Sequence, residues 1–161
     1  MLQPIYCGIK ITSDIMVIAV DFDGTIVEHR YPEIGEERPF ATEVLKKLIA
    51  DRHKLILWTM RNGELLDQAL DWCRERGVEF YAVNSISHDR LKEERSKYLS
   101  YKLDADLFID DRNVGGLPSW TDIYNIINKR QTYEQIIRNR VLDEVDDRLS
   151  APHPAWMFWK K

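Results

Sequence analysis

Met16-Val17-Ile18-Ala19-Val20-Asp21-Phe22-Asp23-Gly24-Thr25 opens with five apolar residues and then turns abruptly polar. An apolar run of this length, without alternation, fits a strand buried on both faces, as in a parallel sheet. Downstream, residues 41–52 place Val44, Leu45, Leu48 and Ile49 on one helical face. Leu55-Ile56-Leu57-Trp58 reads as a second buried strand ending at Thr59. Leu65, Leu66, Ala69, Leu70 and Cys73 form another helical stripe, with Gly77 placed to end it. Val78 to Val83 is a third strand candidate, and the polar residues 87–98 are expected to form a solvated helix. Leu107-Phe108-Ile109 is a short fourth strand that runs into Asp110-Asp111. Strands alternating with helices at this spacing predict an α/β fold, a parallel sheet with helices on both faces.

Ligands of such sheets bind beyond the carboxyl ends of the strands. Asp21, Asp23, Thr59, Asp110 and Asp111 all fall there. A single loop aspartate is ordinarily solvated surface. Four carboxylates and a hydroxyl converging on one sheet edge call for a common cause.

With 161 residues the chain suits one core of ordinary size. Three segments are expected: an N-terminal extension over 1–15, an α/β core over 16–130, and a C-terminal amphipathic helix with an aromatic tail over 131–161. Tyr133, Ile137, Val141, Val145 and Leu149 recur at four-residue steps in the last of these, ahead of Trp156-Met157-Phe158-Trp159. Exposed aromatics adhere, so the tail is expected either to pack on its own core or to form a homo-oligomer contact. The formal net charge of −4 gives no basic footprint, so nucleic acid is not indicated. No apolar run approaches the ~20 residues of a membrane span. Lys10 and Asp14 interrupt any signal-like core near the N-terminus. The expectation is a cytoplasmic protein with no membrane partner. Cys7 and Cys73 are too few for a disulfide scaffold, and Cys73, on a helical stripe, reads as a buried reduced thiol.

The acidic cluster suits phosphate-ester chemistry. Such esters repel nucleophiles, so a catalyst must supply positive charge, an in-line nucleophile and a proton for the leaving oxygen. Magnesium, a hard ion, is suited to carboxylates and phosphate, and Asp21 with the Asp110–Asp111 pair would hold it between neighbouring strand ends. A carboxylate can attack phosphorus, and Asp23 is placed to protonate the leaving group and then activate water. Crowding by other carboxylates favours the protonated form that Asp23 needs for the first of these steps. Thr59 would donate to a phosphate oxygen. Lys102 would neutralise charge, with Lys92 and Lys97 as competitors. Arg61, His29, Arg30 and Asn84 are further candidates for substrate contact, Arg61 as a bidentate clamp on a phosphate or carboxylate.

At these residues the chain resembles the haloacid dehalogenase superfamily of phosphatases. Asp21-Phe22-Asp23-Gly24-Thr25 after an apolar strand matches its first motif, and the strand ending at Thr59 matches the second. Lys102 matches the third, and the strand ending in Asp110-Asp111 the fourth. The resemblance implies a Rossmann-like, doubly wound fold, bound magnesium, Asp21 as nucleophile through an aspartyl-phosphate, and Asp23 as acid–base. It also implies that the backbone carbonyl of residue 23 and a carboxylate of the late pair help hold the metal, Asp111 directly and Asp110 in support. The short spans after each early motif leave no room for a substantial cap domain, so a bulky phosphorylated substrate, or a cover lent by another subunit, is expected.

Two other classes use similar residues. A receiver-type phosphoacceptor domain also gathers acids, a threonine and a lysine, but its acidic pair follows the first strand, whereas here Asp-x-Asp does. A calcium loop wants glycine at its sixth position and flanking helices, and Gly24 meets neither requirement. A catalytically silent binding protein of the same superfamily is the third alternative.

Overall fold

The computed structural model describes residues 15–85, 102–129 and 131–150. Cys7, most of the N-terminal extension, the helix expected over 87–98 and the aromatic tail lie outside the described residues. Four parallel strands, β1 (Val17–Val20), β2 (Lys54–Leu57), β3 (Ala82–Val83) and β4 (Leu107–Ile109), form one sheet in the order β3-β2-β1-β4. The helices are α1 (Ala41–Ala50), α2 (Gly63–Glu75), α3 (Trp120–Lys129) and α4 (Tyr133–Ser150). This is the expected Rossmann-like α/β architecture, with α1, α2 and α3 packed on one face of the sheet and no helix on the other among the described residues. The third strand is shorter than expected, with only Ala82 and Val83 pairing to Ile56 and Leu57.

The pleat explains the layering. Ile18 and Val20 on β1 and Leu55 and Leu57 on β2 point one way, into a core shared with Val44, Leu45 and Leu48 of α1, Ala69 and Cys73 of α2, and Trp120, Ile123 and Ile127 of α3. Ala19, Ile56 and Ala82 point the other way and pack with Leu103, Val17, Trp58 and Ala105. Cys73 is buried and free, as expected, and burial pushes its thiol up to about 12.

Helix α3 has a start signal that periodicity alone did not single out. The Ser119 hydroxyl accepts from the Asp122 amide and donates to the Asp122 carboxylate, a reciprocal cap spaced three residues apart. Between β1 and α1 the chain forms only a short flap. Its base is a ladder in which Glu28 donates to Glu36 O and Arg38 to Ile26 O. Gly35 is required there, because a Cβ would lie 2.1 Å from Glu28 O. No cap domain is present among the described residues.

Candidate active site

The parallel ladder continues one residue past each of three junctions. Asp21 N–H donates to Ile109 O at 3.0 Å, Trp58 N–H to Val20 O at 2.8 Å, and Asn84 N–H to Leu57 O at 2.8 Å. Each strand therefore delivers its following residues at the same level. From β1 the chain winds outward through β2 to β3, then returns to place β4 on the other side of β1. That reversal opens a crevice between β1 and β4, where an α/β sheet binds its ligand.

Asp21, from the end of β1, meets Asp110 and Asp111, from the end of β4, in this crevice. One ligand atom from each lies within 4.8 Å of the others, close enough to share a metal ion. Asp21 Oδ2 and Asp111 Oδ1 are buried, and no hydrogen-bond donor among the described residues reaches them. Buried carboxylate oxygens without donors are costly unless a cation answers them. Burial, reinforced by the charges of Asp110 and Asp111, raises Asp21 to about 6, although the Phe22 amide and the Thr25 hydroxyl pull the other way.

Local geometry explains the glycine and the threonine. Gly24 has φ +93°, and a Cβ there would sit 2.3 Å from Asp111 Oδ2. Glycine thus allows both the turn and the approach of the Asp111 carboxylate. The fully buried Thr25 hydroxyl accepts the Asp111 amide at 3.0 Å and bonds to the Asp21 carboxylate. The Trp120 indole N–H donates to Thr25 O, tying α3 to the same turn. One residue therefore links the early and late acids.

Arg61 does something other than clamp substrate. Its side chain is fully buried, and Nε and Nη2 donate to the two oxygens of Asp23, each at 2.7 Å. Nη1 reaches Pro32 O and Nη2 reaches Glu33 O in the flap. The guanidinium also lies against the rings of Phe22 and Tyr31. This fork positions Asp23 and pins the flap over it.

A cleft of about 910 Å³ opens above these groups, lined by Asp21, Asp23, His29, Tyr31, Trp58, Thr59, Met60, Asn62, Asn84, Asp110 and Arg112. Asn84, at φ +50°, uses its amide to bond both Thr59 N–H and Thr59 O, which locks the ends of β2 and β3 together. Asn84 is thus both lining and brace. The Thr59 hydroxyl accepts the Arg61 amide at 3.2 Å, leaving its own proton to donate. Arg30 is exposed beside Glu28 and does not line the cleft. Lys102 is also exposed and outside the lining. Sequence reasoning overlooked Arg112, whose amide donates to Asp110 Oδ1 and which joins the lining. Its position directly after the acidic pair was the available signal. Trp58, Met60 and Asn62 also line the cleft, and their signal was their place around Thr59 at the end of β2. Tyr31 carried none, because its place depends on how the flap folds.

The chain is similar to the solved structure of a conserved protein from Bacteroides thetaiotaomicron, with 58% sequence identity and a TM-score of 0.69. The match covers 76% of this chain and 98% of that one. No family model matches the chain, and no curated protein does. At this identity over nearly the whole of the relative, the chain belongs to the family of that conserved Bacteroides thetaiotaomicron protein.

Proposed function

We propose that the chain is a magnesium-dependent phosphomonoester hydrolase of the haloacid dehalogenase type, acting through an aspartyl-phosphate on Asp21. One observation carries this reading: three carboxylates from two neighbouring strand ends crowd together, with two of their oxygens buried and reached by no donor among the described residues. The donor set is all carboxylate, which suits a hard divalent ion. Asp21, Asp110 and Asp111 would hold it, with the backbone carbonyl of Asp23. When bound, the ion supplies the positive charge that lets a phosphate dianion enter an acidic cleft.

This chain's residues would then divide the work. An Asp21 oxygen attacks phosphorus, the ester P–O bond breaks, and its electron pair leaves on the alcohol oxygen. Asp23 protonates that oxygen, then takes a proton from the water that cleaves the phosphoryl-aspartate. Both Asp23 oxygens accept from Arg61, so each retains one lone pair for water. Donating a proton requires a protonated Asp23, and one of the two Arg61 bonds must then lengthen. Thr59 donates to a phosphate oxygen. Arg112, in the cleft lining, joins or replaces Lys102 as the balancing cation.

The strand order β3-β2-β1-β4 differs from the 2-1-3-4-5 order of receiver domains, which weighs against a phosphoacceptor. The cleft is open enough for a bulky phosphate ester. The test is steady-state release of phosphate from an aryl phosphate with and without magnesium. Wild type should turn over repeatedly with the ion, and Asp21→Asn should lose several orders of magnitude. Undiminished activity in that variant would mean a different nucleophile, and a single stoichiometric burst would favour the phosphoacceptor.

A further inference from the structure

Helix α4 presents two faces with different fates. One is anchored: Ile136 is buried and the Arg140 guanidinium bonds the Asp122 carboxylate on α3. Thr132 and Gln135 cap the start reciprocally, each side chain accepting the other's amide. The other face carries Ile137, Val141 and Val145 at four-residue steps, left 44%, 54% and 47% exposed. A stripe of branched aliphatics along a helix of about 27 Å is more apolar surface than a solvated helix ordinarily shows.

The sequence around Val141 is complementary to its own reverse. Three residues either side stand Arg138 and Glu144, four either side Ile137 and Val145, seven either side Glu134 and Arg148, and eight either side Tyr133 and Leu149. Offsets of three, four, seven and eight share a helical face. At every one of these offsets an apolar residue mirrors an apolar one, or a positive charge mirrors a negative one. A parallel pairing would instead set like charges against each other.

We propose that α4 is a dimerisation helix that pairs antiparallel with the same helix of a second copy, Val141 lying on the two-fold axis. Arg138 of each copy then faces Glu144 of the other, and Ile137 faces Val145. Such a contact is isologous, with one patch serving both sides. Four or five turns of helix bury less than a standard interface of about 1,600 Å², so association in the micromolar range is expected. The contact lies on the helix, where the sequence alone pointed to the aromatic tail.

Sedimentation of the full chain across roughly 1–200 µM tests this. The mass should climb from 19.1 kDa towards twice that value. Val141→Glu, at an exposed site, should hold it at the monomer with unchanged helicity by circular dichroism. Arg138→Glu and Glu144→Arg should each weaken dimerisation at least tenfold, and the combined swap should restore it. Deleting residues 151–161 should leave the dimer in place. A wild type that stays monomeric, a swap that fails to rescue, or a dimer abolished only by the deletion would each overturn the proposal.

Discussion

Replacing Arg61 by methionine tests the most deeply built feature of the site. The Arg61 side chain has no solvent exposure and that of Asp23 only 11%, so their charges meet away from water. Methionine keeps much of the packing against Phe22 but leaves the Asp23 carboxylate unpaired, and the carbonyls of Pro32 and Glu33 lose their donors. Removing one partner of a buried pair costs about 3–5 kcal/mol. Folded domains are stable by only about 5–15 kcal/mol, so the loss would be a large fraction of the total. Urea denaturation followed by tryptophan fluorescence would show it as a lower midpoint. Arg61→Lys keeps the charge but cannot span both oxygens, and should fall between wild type and methionine. The double variant Arg61→Met, Asp23→Asn removes both charges. It should recover part of the loss, giving a coupling energy of at least about 2 kcal/mol. A methionine variant within about 1 kcal/mol of wild type would refute the clamp, as would a double variant no better than additive.

Further expectations concern the acids and the thiol. Gly24→Ala should destabilise the fold by more than about 1 kcal/mol in urea titrations, because φ is +93° and the new Cβ meets the Asp111 carboxylate; the same variant should weaken magnesium binding in calorimetry. Asp21 is raised from 3.8 to about 6, so its proton is held more tightly folded than unfolded. Stability from that proton is present below about pH 4 and is lost as pH rises through about 6. The metal-free Asp21→Asn variant should therefore gain on wild type between pH 4 and 7, read as a widening difference in melting temperature. A constant difference would remove that assignment. Magnesium should raise the wild-type melting temperature at pH 7.5 and do so less below pH 6, where protons compete for Asp21. Cys73, buried and pushed up to about 12, should resist thiol reagents until the protein unfolds.

The strands and the acids at their ends were legible in the sequence for a local reason. A strand buried on both faces must be continuously apolar, so Val17 to Val20 and Leu55 to Leu57 announce themselves. Leu107 to Ile109 is apolar as well, although Phe108 is exposed, and a polar residue follows each run at Asp21, Thr59 and Asp110. Period and position therefore sufficed to place Asp21, Thr59 and Asp110 at one edge. Helix α3 was equally legible, since Trp120, Ile123, Tyr124 and Ile127 stand at helical spacing behind the Ser119 cap, but that stripe went unread. β3 was read too long because Val78 is buried without joining the ladder.

What the linear order of residues determined about this protein is the alternating architecture and the meeting of early and late acids at the switch point. Only the tertiary structure decided the partners of the cations. Arg61 turned inward because the flap folds back to offer the Pro32 and Glu33 carbonyls beside Asp23, a meeting of segments some thirty residues apart. Arg112 reached the cleft while Lys102 and Arg30 stayed outside it. A carboxylate at a strand end is aimed by the strand itself, whereas a long flexible cation is aimed by whatever packs around it, and that is set by contacts distant in sequence.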